Sequence, residues 1–203
     1  MSRLNRDALF DTLMLVKLME TNVGPIYREE IQLLGYLSCM LHLYRASAPV
    51  SIWGYNFAGT REGRPFSPDL DDAVNELVRI GFLRESENNK TLKLMDLGRG
   101  ELEVWNSLTA FQSRVPSLEG AAKSTLSVPI DYIRSALASQ SAMRSSAAAG
   151  SSRPLLTDSD LEVVYEQFSA INTAVGVKLS ELMIPGVIWL KYLTKINEMQ
   201  QRS

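Results

Sequence analysis

Hydrophobic residues recur at helical spacing in the first 44 residues and predict two helices, over residues 4–20 and 28–44. In the first helix, Leu9, Leu13 and Val16 share one face, and further apolar residues widen that face around the helix axis. A helix that is apolar on most of its circumference is usually buried between other helices. We therefore expect this segment to lie inside a helical core.

The pattern changes between residues 45 and 66, where Trp53, Tyr55 and Phe57 alternate with small or polar residues. Residues 50–53 are suited to a short strand, and period-two alternation is typical of a strand. Long glycine-containing connections are also often functional. Two interpretations stay open: an exposed binding loop, or a core-facing strand whose aromatic side chains pack under the helices.

The strongest local signal predicts a helix over residues 68–80. Ser67 is suited to the N-cap, Pro68 to the first helical position and Gly81 to the C-terminal cap. The first turn is rich in carboxylates, which favour the positive end of the helix dipole. The same carboxylates could suggest a metal site, but stabilisation of the helix dipole explains them without a ligand; they are Asp69, Asp71 and Asp72.

Two short apolar runs, residues 82–85 and 91–95, flank a polar turn and predict a β-hairpin. A further helix follows, with Leu102 and Val115 in its apolar stripe and Pro116 at its end. Helix, helix, capped helix, hairpin and helix is the order of a winged-helix unit. We therefore predict a mainly α fold with a winged-helix-like domain, made of helices plus a β-hairpin wing, and additional C-terminal helices. Such units bind DNA, proteins or both.

The last third of the chain predicts helices on both sides of a linker. Residues 117–126 and 129–137 form two shorter helical patterns. The following stretch is mainly serine and alanine, a composition that favours flexibility. The predicted organisation is a winged-helix-like domain with its N-terminal helix over residues 1–137, a flexible linker over 138–156 and a C-terminal helical segment over 157–203.

Composition is that of an ordinary globular protein, with 203 residues of which 45% are hydrophobic and 22% charged. The single cysteine excludes an internal disulfide. No long apolar core of a signal peptide is present at the N-terminus. The apolar stretch over residues 179–196 is interrupted by charges and by Pro185, so a membrane-spanning helix is not expected. We predict a cytoplasmic protein without membrane association.

The charge pattern bears on DNA binding. The formal net charge is -2, whereas a free-standing DNA binder usually has a basic face. The predicted helix over residues 68–80 carries four acidic residues against one base, Arg79, and would repel phosphates in a DNA groove. The hairpin region has bases that could contact phosphate without reading sequence, and these candidates are Lys90, Lys93 and Arg99.

Few residues suggest catalysis. His42 is the only histidine, and Cys39 lies three residues before it on roughly the same helix face. A catalytic dyad needs an orienting group and an oxyanion hole, and a metal site needs more ligands. Gly54, Gly59 and Gly63 lack the Gly-Lys-Ser/Thr of a phosphate-binding loop. We expect Cys39 and His42 to be core residues, and we expect no enzymatic activity, no metal and no cofactor.

Candidate partner-binding residues fall into two groups, because aromatic residues and arginine are enriched at interface hot spots. The first group is Trp53, Tyr55, Phe57, Arg61 and Arg64. The second group is Trp189 and Tyr192, which follow the predicted linker. Helices tethered by such a linker either dock on a partner or pack back on the first domain, and both alternatives remain open.

One segment carries a family resemblance. Residues 63–70 (GRPFSPDL) and 77–83 (LVRIGFL) resemble a pattern of small winged-helix bacterial proteins, in which a Gly-Pro-Phe/Tyr-Ser turn starts a helix that ends in Leu-x-x-x-Gly-Leu/Phe-Leu. The pattern occurs in toxin–antitoxin-associated proteins. It is also similar to the small middle components of three-component ABC-ATPase systems, including Lamassu-type antiphage systems. The similarity covers roughly residues 28–113. It implies a non-enzymatic subunit that contacts an SMC-like ATPase and an effector, and it supplies no catalytic residues.

The leading hypothesis is therefore a non-catalytic adaptor subunit of a bacterial multiprotein complex, such as a defence complex built on an SMC-like ABC ATPase and an effector subunit. DNA contact would be indirect or non-specific. The alternative is a winged-helix transcriptional regulator that binds DNA as a homodimer.

Overall fold

The computed structural model describes residues 4–46, 53–88, 90–175 and 181–201, which form a mainly helical fold with small antiparallel sheets. The helices are α1 (Arg6–Asn22), α2 (Arg28–Ala46), α3 (Pro68–Arg79), α4 (Asp96–Ser107), α5 (Thr109–Gln112), α6 (Val115–Ser124), α7 (Ile130–Ala138), α8 (Ser141–Ala149), α9 (Asp158–Val175) and α10 (Met183–Gln201). The strands are β1 (Ile26–Tyr27), β2 (Ala58–Gly59), β3 (Pro65–Phe66), β4 (Leu83–Glu85), β5 (Thr91–Leu94) and β6 (Arg153–Pro154). The predicted mainly α class is confirmed, and most of the strand predicted at residues 50–53 lies outside the described residues.

Helix α2 is the centre of the fold. Every residue from Glu30 to Tyr44 is buried, and the helix packs against α1, α3, α6, α7 and α10. Helix α1 packs in turn against α2, α3, α4 and α6. The prediction that the first helix is buried between others is confirmed, and it follows from the wide apolar face of α1.

Helix α3 begins and ends close to the predicted residues, but its N-terminus is held differently. Ser67 occupies the N-cap position without a capping hydrogen bond from its side chain. Instead, the Ser67 N–H donates to Gln32 Oε1 at 2.7 Å and Gln32 Nε2 donates to the Ser67 carbonyl at 3.1 Å. At the other end Gly81 has φ +78, while the Phe82 and Gly81 N–H groups donate to Leu77 and Val78. This is the glycine-terminated motif that the sequence predicted.

The predicted hairpin forms and gains a third strand. Strands β4 and β5 pair antiparallel, and β1 pairs with the other side of β5, giving the order β1-β5-β4. One face of this sheet buries leucine and isoleucine side chains against the helices, and the other face is open to solvent. A two-residue strand such as β1 has too little period-two pattern to be recognised in the sequence.

The helix predicted to run from Leu102 to Val115 is interrupted in the structure. Helix α4 ends at Ser107, and Leu108 has extended backbone angles, φ -79 and ψ 129. Pro116 lies in the first turn of α6 rather than at the end of a helix, which is compatible with proline because the first N–H groups of a helix have no intrahelical partner.

The flexible linker predicted over residues 138–156 is wrong. Residues 141–149 form helix α8, in which Met143 and Ser146 are fully buried. Strand β6 then pairs with β2 in a second sheet of order β3-β2-β6. Alanine is the strongest helix former, and small side chains let α8 lie so close to β2 that a Cβ on Gly59 would come within 2.6 Å of Ser146 Oγ.

The C-terminal helices pack back on the rest of the chain. Helix α10 contacts α6, α7, α9 and α2. A Cβ added to Gly120 of α6 would lie 2.6 Å from Leu182 Cβ, so glycine is required for this approach. Pro185, expected to break the segment, lies in the first turn of α10, where it is tolerated.

Two glycines of α4 give a matched stability test. A Cβ at Gly98 would lie 2.4 Å from the carbonyl oxygen of Phe82, whereas Gly100 has nothing within 4 Å. We expect Gly98→Ala to destabilise the fold by about 1–3 kcal/mol, because backbone must move. Gly100→Ala should stabilise it by about 0.5–1 kcal/mol, because alanine has the higher helix propensity. Urea denaturation measures the change in the free energy of unfolding for each variant. Two changes of the same sign and size would contradict this packing of α4.

Candidate functional site

The aromatic segment proposed as an exposed binding loop lies in the core. Trp53, Tyr55 and Phe57 are 0%, 4% and 3% exposed, and their rings contact one another and Tyr36 of α2. Their assignment as partner-binding residues is therefore corrected. The core-facing alternative is the right one, because every second side chain of the segment points under the helices.

A buried ion pair holds this segment in place. Arg114, 3% exposed, donates from Nε to Asp11 Oδ1 at 2.8 Å and from a terminal nitrogen to Oδ2. Its guanidinium also lies 3.9 Å from the centre of the Trp53 ring and donates to the Trp53 carbonyl. The Tyr55 hydroxyl donates to Asp11 at 2.6 Å. Helices α1 and α6 are thus joined to the aromatic segment through one network.

The electrostatics of the pair are strongly coupled. Burial raises the pKa of the Asp11 carboxyl, while the charge and hydrogen bonds of Arg114 act in the opposite direction. Burial alone would lower the pKa of Arg114, but the charge of Asp11 and its hydrogen bonds raise it above the ordinary value. Each side chain is therefore compensated mainly by the other, which gives this network a structural role.

The two candidate catalytic residues also lie in the core. Cys39 is fully buried, and burial raises the pKa of its thiol well above the ordinary value, which disfavours the reactive thiolate. His42 is 6% exposed, and neither of its ring nitrogens has a hydrogen-bond partner among the described residues. Its ring lies 5.3 Å from that of Trp53. In the described part of the chain, no group of three or more histidine, cysteine, aspartate or glutamate residues is placed to hold a metal.

His42 predicts a pH dependence of stability. Burial lowers its pKa below 6.5, so the unfolded chain takes up a proton more readily than the folded chain. Stability from this group is complete above pH 6.5 and decreases as the pH falls, by at most about 1.4 kcal/mol per pH unit. Urea denaturation between pH 7 and pH 5.5 should show this slope, and His42→Leu should reduce it. An unchanged slope in the variant would contradict the neutral buried histidine.

The two predicted arginines are exposed and lie on the β2–β3 hairpin. Arg61 pairs with its neighbour Glu62. Arg64 reaches across to α2 and pairs with Glu29 at 2.8 Å. Both partners of that pair are about half exposed or more, 49% and 69%, so the pair adds little stability and can exchange partners.

Arg64 lies at one end of a groove along the first half of α2. Two adjoining hollows of about 680 Å³ and 240 Å³ share Glu29 and Arg134 as common walls. The β4–β5 hairpin and α7 border the larger hollow, and the β2–β3 hairpin borders the smaller one. We call this surface the α2 groove; its lining residues are Tyr27, Arg28, Glu29, Glu30, Gln32, Leu33, Thr60, Glu62, Arg64, Pro65, Phe66, Glu85, Lys90, Ile130, Asp131 and Arg134.

Exposed aromatic side chains border the α2 groove at its two ends. Tyr27 of β1 is 46% exposed and Phe66 of β3 is 36% exposed. The Tyr27 side chain points to the solvent-exposed face of the sheet, because that of its neighbour Ile26 points into the core. The Tyr27 N–H donates to Glu30 at 2.9 Å, which fixes the start of α2. Tyr27 and Phe66, rather than the buried Trp53, Tyr55 and Phe57, are therefore the exposed aromatic residues of this surface.

The charges of the α2 groove are mixed. Four bases and five carboxylates line it, and most of the bases are already paired. Arg28 bonds to Asp71 at 3.2 Å, and Arg134 bonds to Asp131. Lys90 has no ion-pair partner among the described residues, and its positive φ of 55 places it at the hairpin turn. The surface offers balanced charge around aromatic anchors rather than a continuous basic strip.

The three candidate phosphate contacts fall in two places. Lys90 lines the α2 groove, whereas Lys93 lies on the open face of the β4–β5 hairpin, directly opposite Arg84. Glu20 lines the same hollow as Lys93 and Arg84 and lies 3.6 Å from Arg99, so its carboxylate offsets part of the positive charge there.

Helix α3 keeps its acidic character on the surface. Its base Arg79 is bound to Glu76, and the nearby Arg28 is bound to Asp71. Asp72 is exposed. The outer face of α3 is therefore acidic in the folded protein.

The C-terminal candidates divide. Trp189 is fully buried, its ring lies 5.5 Å from that of Phe168, and its indole N–H donates to Gln167 at 2.9 Å, so its assignment to a partner surface is corrected. Tyr192 is 38% exposed and lines a cleft of about 350 Å³ between α8, α9 and α10.

Sequence patterns alone did not single out Tyr27 or Arg134. A longer strand pattern around Ile26 would have marked Tyr27 as outward-facing, whereas nothing local places Arg134 of α7 beside α2.

Scans against protein-family models and searches of curated proteins and solved structures found no match. No helix in the described part of the chain is both long enough and apolar enough to cross a bilayer.

Proposed function

We propose that this protein is a cytoplasmic, non-catalytic adaptor that binds another protein through the α2 groove. The observation that carries the proposal is the pair of exposed rings, Tyr27 and Phe66, set around a groove whose rim has exchangeable ion pairs. Aromatic anchors inside a rim of charged residues are the usual composition of a protein-binding site.

The charge distribution favours a protein over a nucleic acid. A phosphate backbone in the α2 groove would meet five carboxylates and four bases, and one approaching α3 would meet the exposed Asp72 and the half-buried Asp69. Phosphate contacts dominate nucleic-acid affinity, and carboxylates oppose them. A protein partner with charges of both signs can instead replace the pairs made by Arg64 and Arg134 with its own.

The arrangement of elements supports a winged-helix module. The order α1, β1, α2, α3, β4, β5, with the short strands β2 and β3 inserted between α2 and α3, and the strand order β1-β5-β4 support this interpretation. In this interpretation α3 takes the recognition-helix position, and its acidic face suits a protein contact. The resemblance over residues 28–113 suggests the partner class: an SMC-like ABC ATPase, with an effector subunit in the same complex.

Affinity purification of the tagged full chain from its native host tests the proposal. We expect a stoichiometric protein partner, quantified by mass spectrometry, and we expect the double variant Tyr27→Ala/Phe66→Ala to reduce its recovery at least about tenfold, as for two interface anchors. The matched control is Tyr192→Ala/Val163→Ala, which removes exposed apolar side chains outside the groove.

Recovery unchanged in the groove variant, or lost only in the control variant, would contradict binding through the α2 groove. The absence of any stoichiometric partner would contradict the adaptor function itself.

One observation favours the regulator alternative, which is the like-charged pair Arg84 and Lys93 at directly opposed positions on the wing. Like charges in that arrangement repel each other, and the Glu20 carboxylate, which lines the same hollow, offsets only part of their charge, so a bound phosphate would be stabilised there. A salt-sensitive gel shift that disappears on Lys93→Glu would support a DNA-binding homodimer. An unchanged shift in that variant would exclude this wing contact.

A further inference from the structure

The outer face of α4 carries an apolar stripe that nothing in the described part of the chain covers. Leu97, Val104 and Leu108 are 69%, 58% and 46% exposed. They are spaced by seven and four residues, which places them on one side of the helix and of its C-cap. The opposite side of α4 buries Gly98 and Leu102 against the core. The helix is therefore apolar on two faces, and the residues that the structure describes bury only one of them.

A glycine lies in the same stripe. Gly100 is one turn after Leu97 and one turn before Val104, it is exposed, and a Cβ there would meet nothing within 4 Å. Glycine inside a helix lowers stability relative to alanine, and no packing among the described residues requires it here. Small residues on a helix face allow the backbone of a second helix to come close. The stripe has the form of a helix-contacting surface with a close-approach point at its centre.

The charges beside the stripe are acidic. Glu101 lies between Leu97 and Val104 on this side of α4, and Glu103 is exposed. The base on the same helix, Arg99, is 3.6 Å from Glu20 and is partly neutralised by it. A second copy packed on this stripe would bring its own Glu101 to the same seam, where like charges repel. A partner with lysine or arginine beside its apolar residues would instead find complementary charge.

We propose that the outer face of α4 docks an amphipathic helix of a partner protein, one whose apolar stripe is flanked by lysine or arginine. The partner helix crosses α4 at Gly100, packs on Leu97 and Val104, and places a base near Glu101. This surface shares no residue with the α2 groove and does not depend on it. An adaptor built in this way has two separate binding faces.

Synthetic peptides of about 20 residues, long enough for a stable amphipathic helix, test this surface directly. The probe is a labelled leucine/lysine helix, and its counterpart has glutamate in place of every lysine. Fluorescence anisotropy with the full-length protein should show binding of the lysine peptide and none of the glutamate peptide. Val104→Asp should weaken binding at least about 20-fold, and Val23→Asp, which changes an equally exposed valine (58%) on another element, should not.

Gly100→Ala is the decisive variant because the expected signs are opposite. It should make the protein more stable and yet weaken peptide binding about tenfold, since the added methyl group holds the two helices apart. A purely non-specific attraction to an acidic protein would not respond to this methyl group. Binding that is unchanged in both Val104→Asp and Gly100→Ala overturns the proposal, as does binding of neither peptide.

Self-association of the protein that is lost in Val104→Asp would also overturn it, by assigning the stripe to a second copy. The Tyr27→Ala/Phe66→Ala variant should bind the peptide normally. A failure of the α4 surface is therefore distinguishable from a failure of the α2 groove.

Discussion

Replacement of Arg114 by methionine is expected to lower the free energy of unfolding by about 3–5 kcal/mol, the largest effect of any surface or core charge considered for this chain. Arg114 and Asp11 are both almost completely buried and are bonded to each other. Among the described residues, the variant would leave only the Tyr55 hydroxyl as a donor to the buried Asp11 carboxyl. Equilibrium denaturation in urea at pH 7 measures the change.

A double-mutant cycle separates the pair from general damage to the core. Asp11→Leu combined with Arg114→Met removes both charges, so it should recover a large part of the loss seen in the single variants. Arg45→Met is the matched control, because Arg45 is an exposed arginine of α2 whose change should stay within about 0.5 kcal/mol. A small effect of Arg114→Met, or strictly additive effects of the two substitutions, would contradict the buried network.

Trp189→Ala is the second large expected effect, a loss of about 3–5 kcal/mol, as for other buried aromatic residues. Trp189 is fully buried, and its ring contacts that of Phe168 of α9. Its helix, α10, packs against α6 and α7. Tyr192→Ala, three residues later on the same helix, should cost under about 1 kcal/mol because its ring is partly exposed. Thermal unfolding followed by circular dichroism distinguishes the two. Similar, small effects for both would mean that α10 does not pack on this core.

Local patterns predicted those elements whose boundaries are marked by local chemistry. Pro68 and Gly81 delimit α3, and the apolar runs on either side of the 86–90 turn produce the hairpin. The wide apolar face of α1 correctly placed that helix in the core. In each case the information lies within one or two turns of the chain, which is the range over which periodicity and capping act.

The features that escaped prediction depend on contacts between distant residues. Asp11 and Arg114 are separated by 103 positions, and nothing in the neighbourhood of either residue indicates the other. The sequence of α8 is poor in large apolar residues, which is typical of a linker. In the structure, however, Met143 is buried and the small serine and alanine side chains allow α8 to lie close to β2. Composition alone cannot show that a partner surface of matching shape exists.

Two residues that the sequence suggests line the α2 groove: Arg64, a candidate for partner binding, and Lys90, a candidate for phosphate contact. The aromatic residues were wrongly assigned, since alternation at period two shows that side chains share a face but not whether that face is buried. The exposure of Tyr27 and Phe66 beside α2 depends on the tertiary positions of β1 and β3, which the local sequence does not specify.

Amide hydrogen exchange on the purified protein, with and without its co-purifying partner, is the most direct test of protein binding through the α2 groove. The first N–H groups of α2 have no intrahelical acceptors, so they should exchange quickly in the free protein, whereas in α7 the Tyr132 N–H already donates to the Pro129 carbonyl. We expect slower exchange on binding over residues 26–30, 62–66 and 130–134. A bound complex in which exchange over these three segments is unchanged would contradict it.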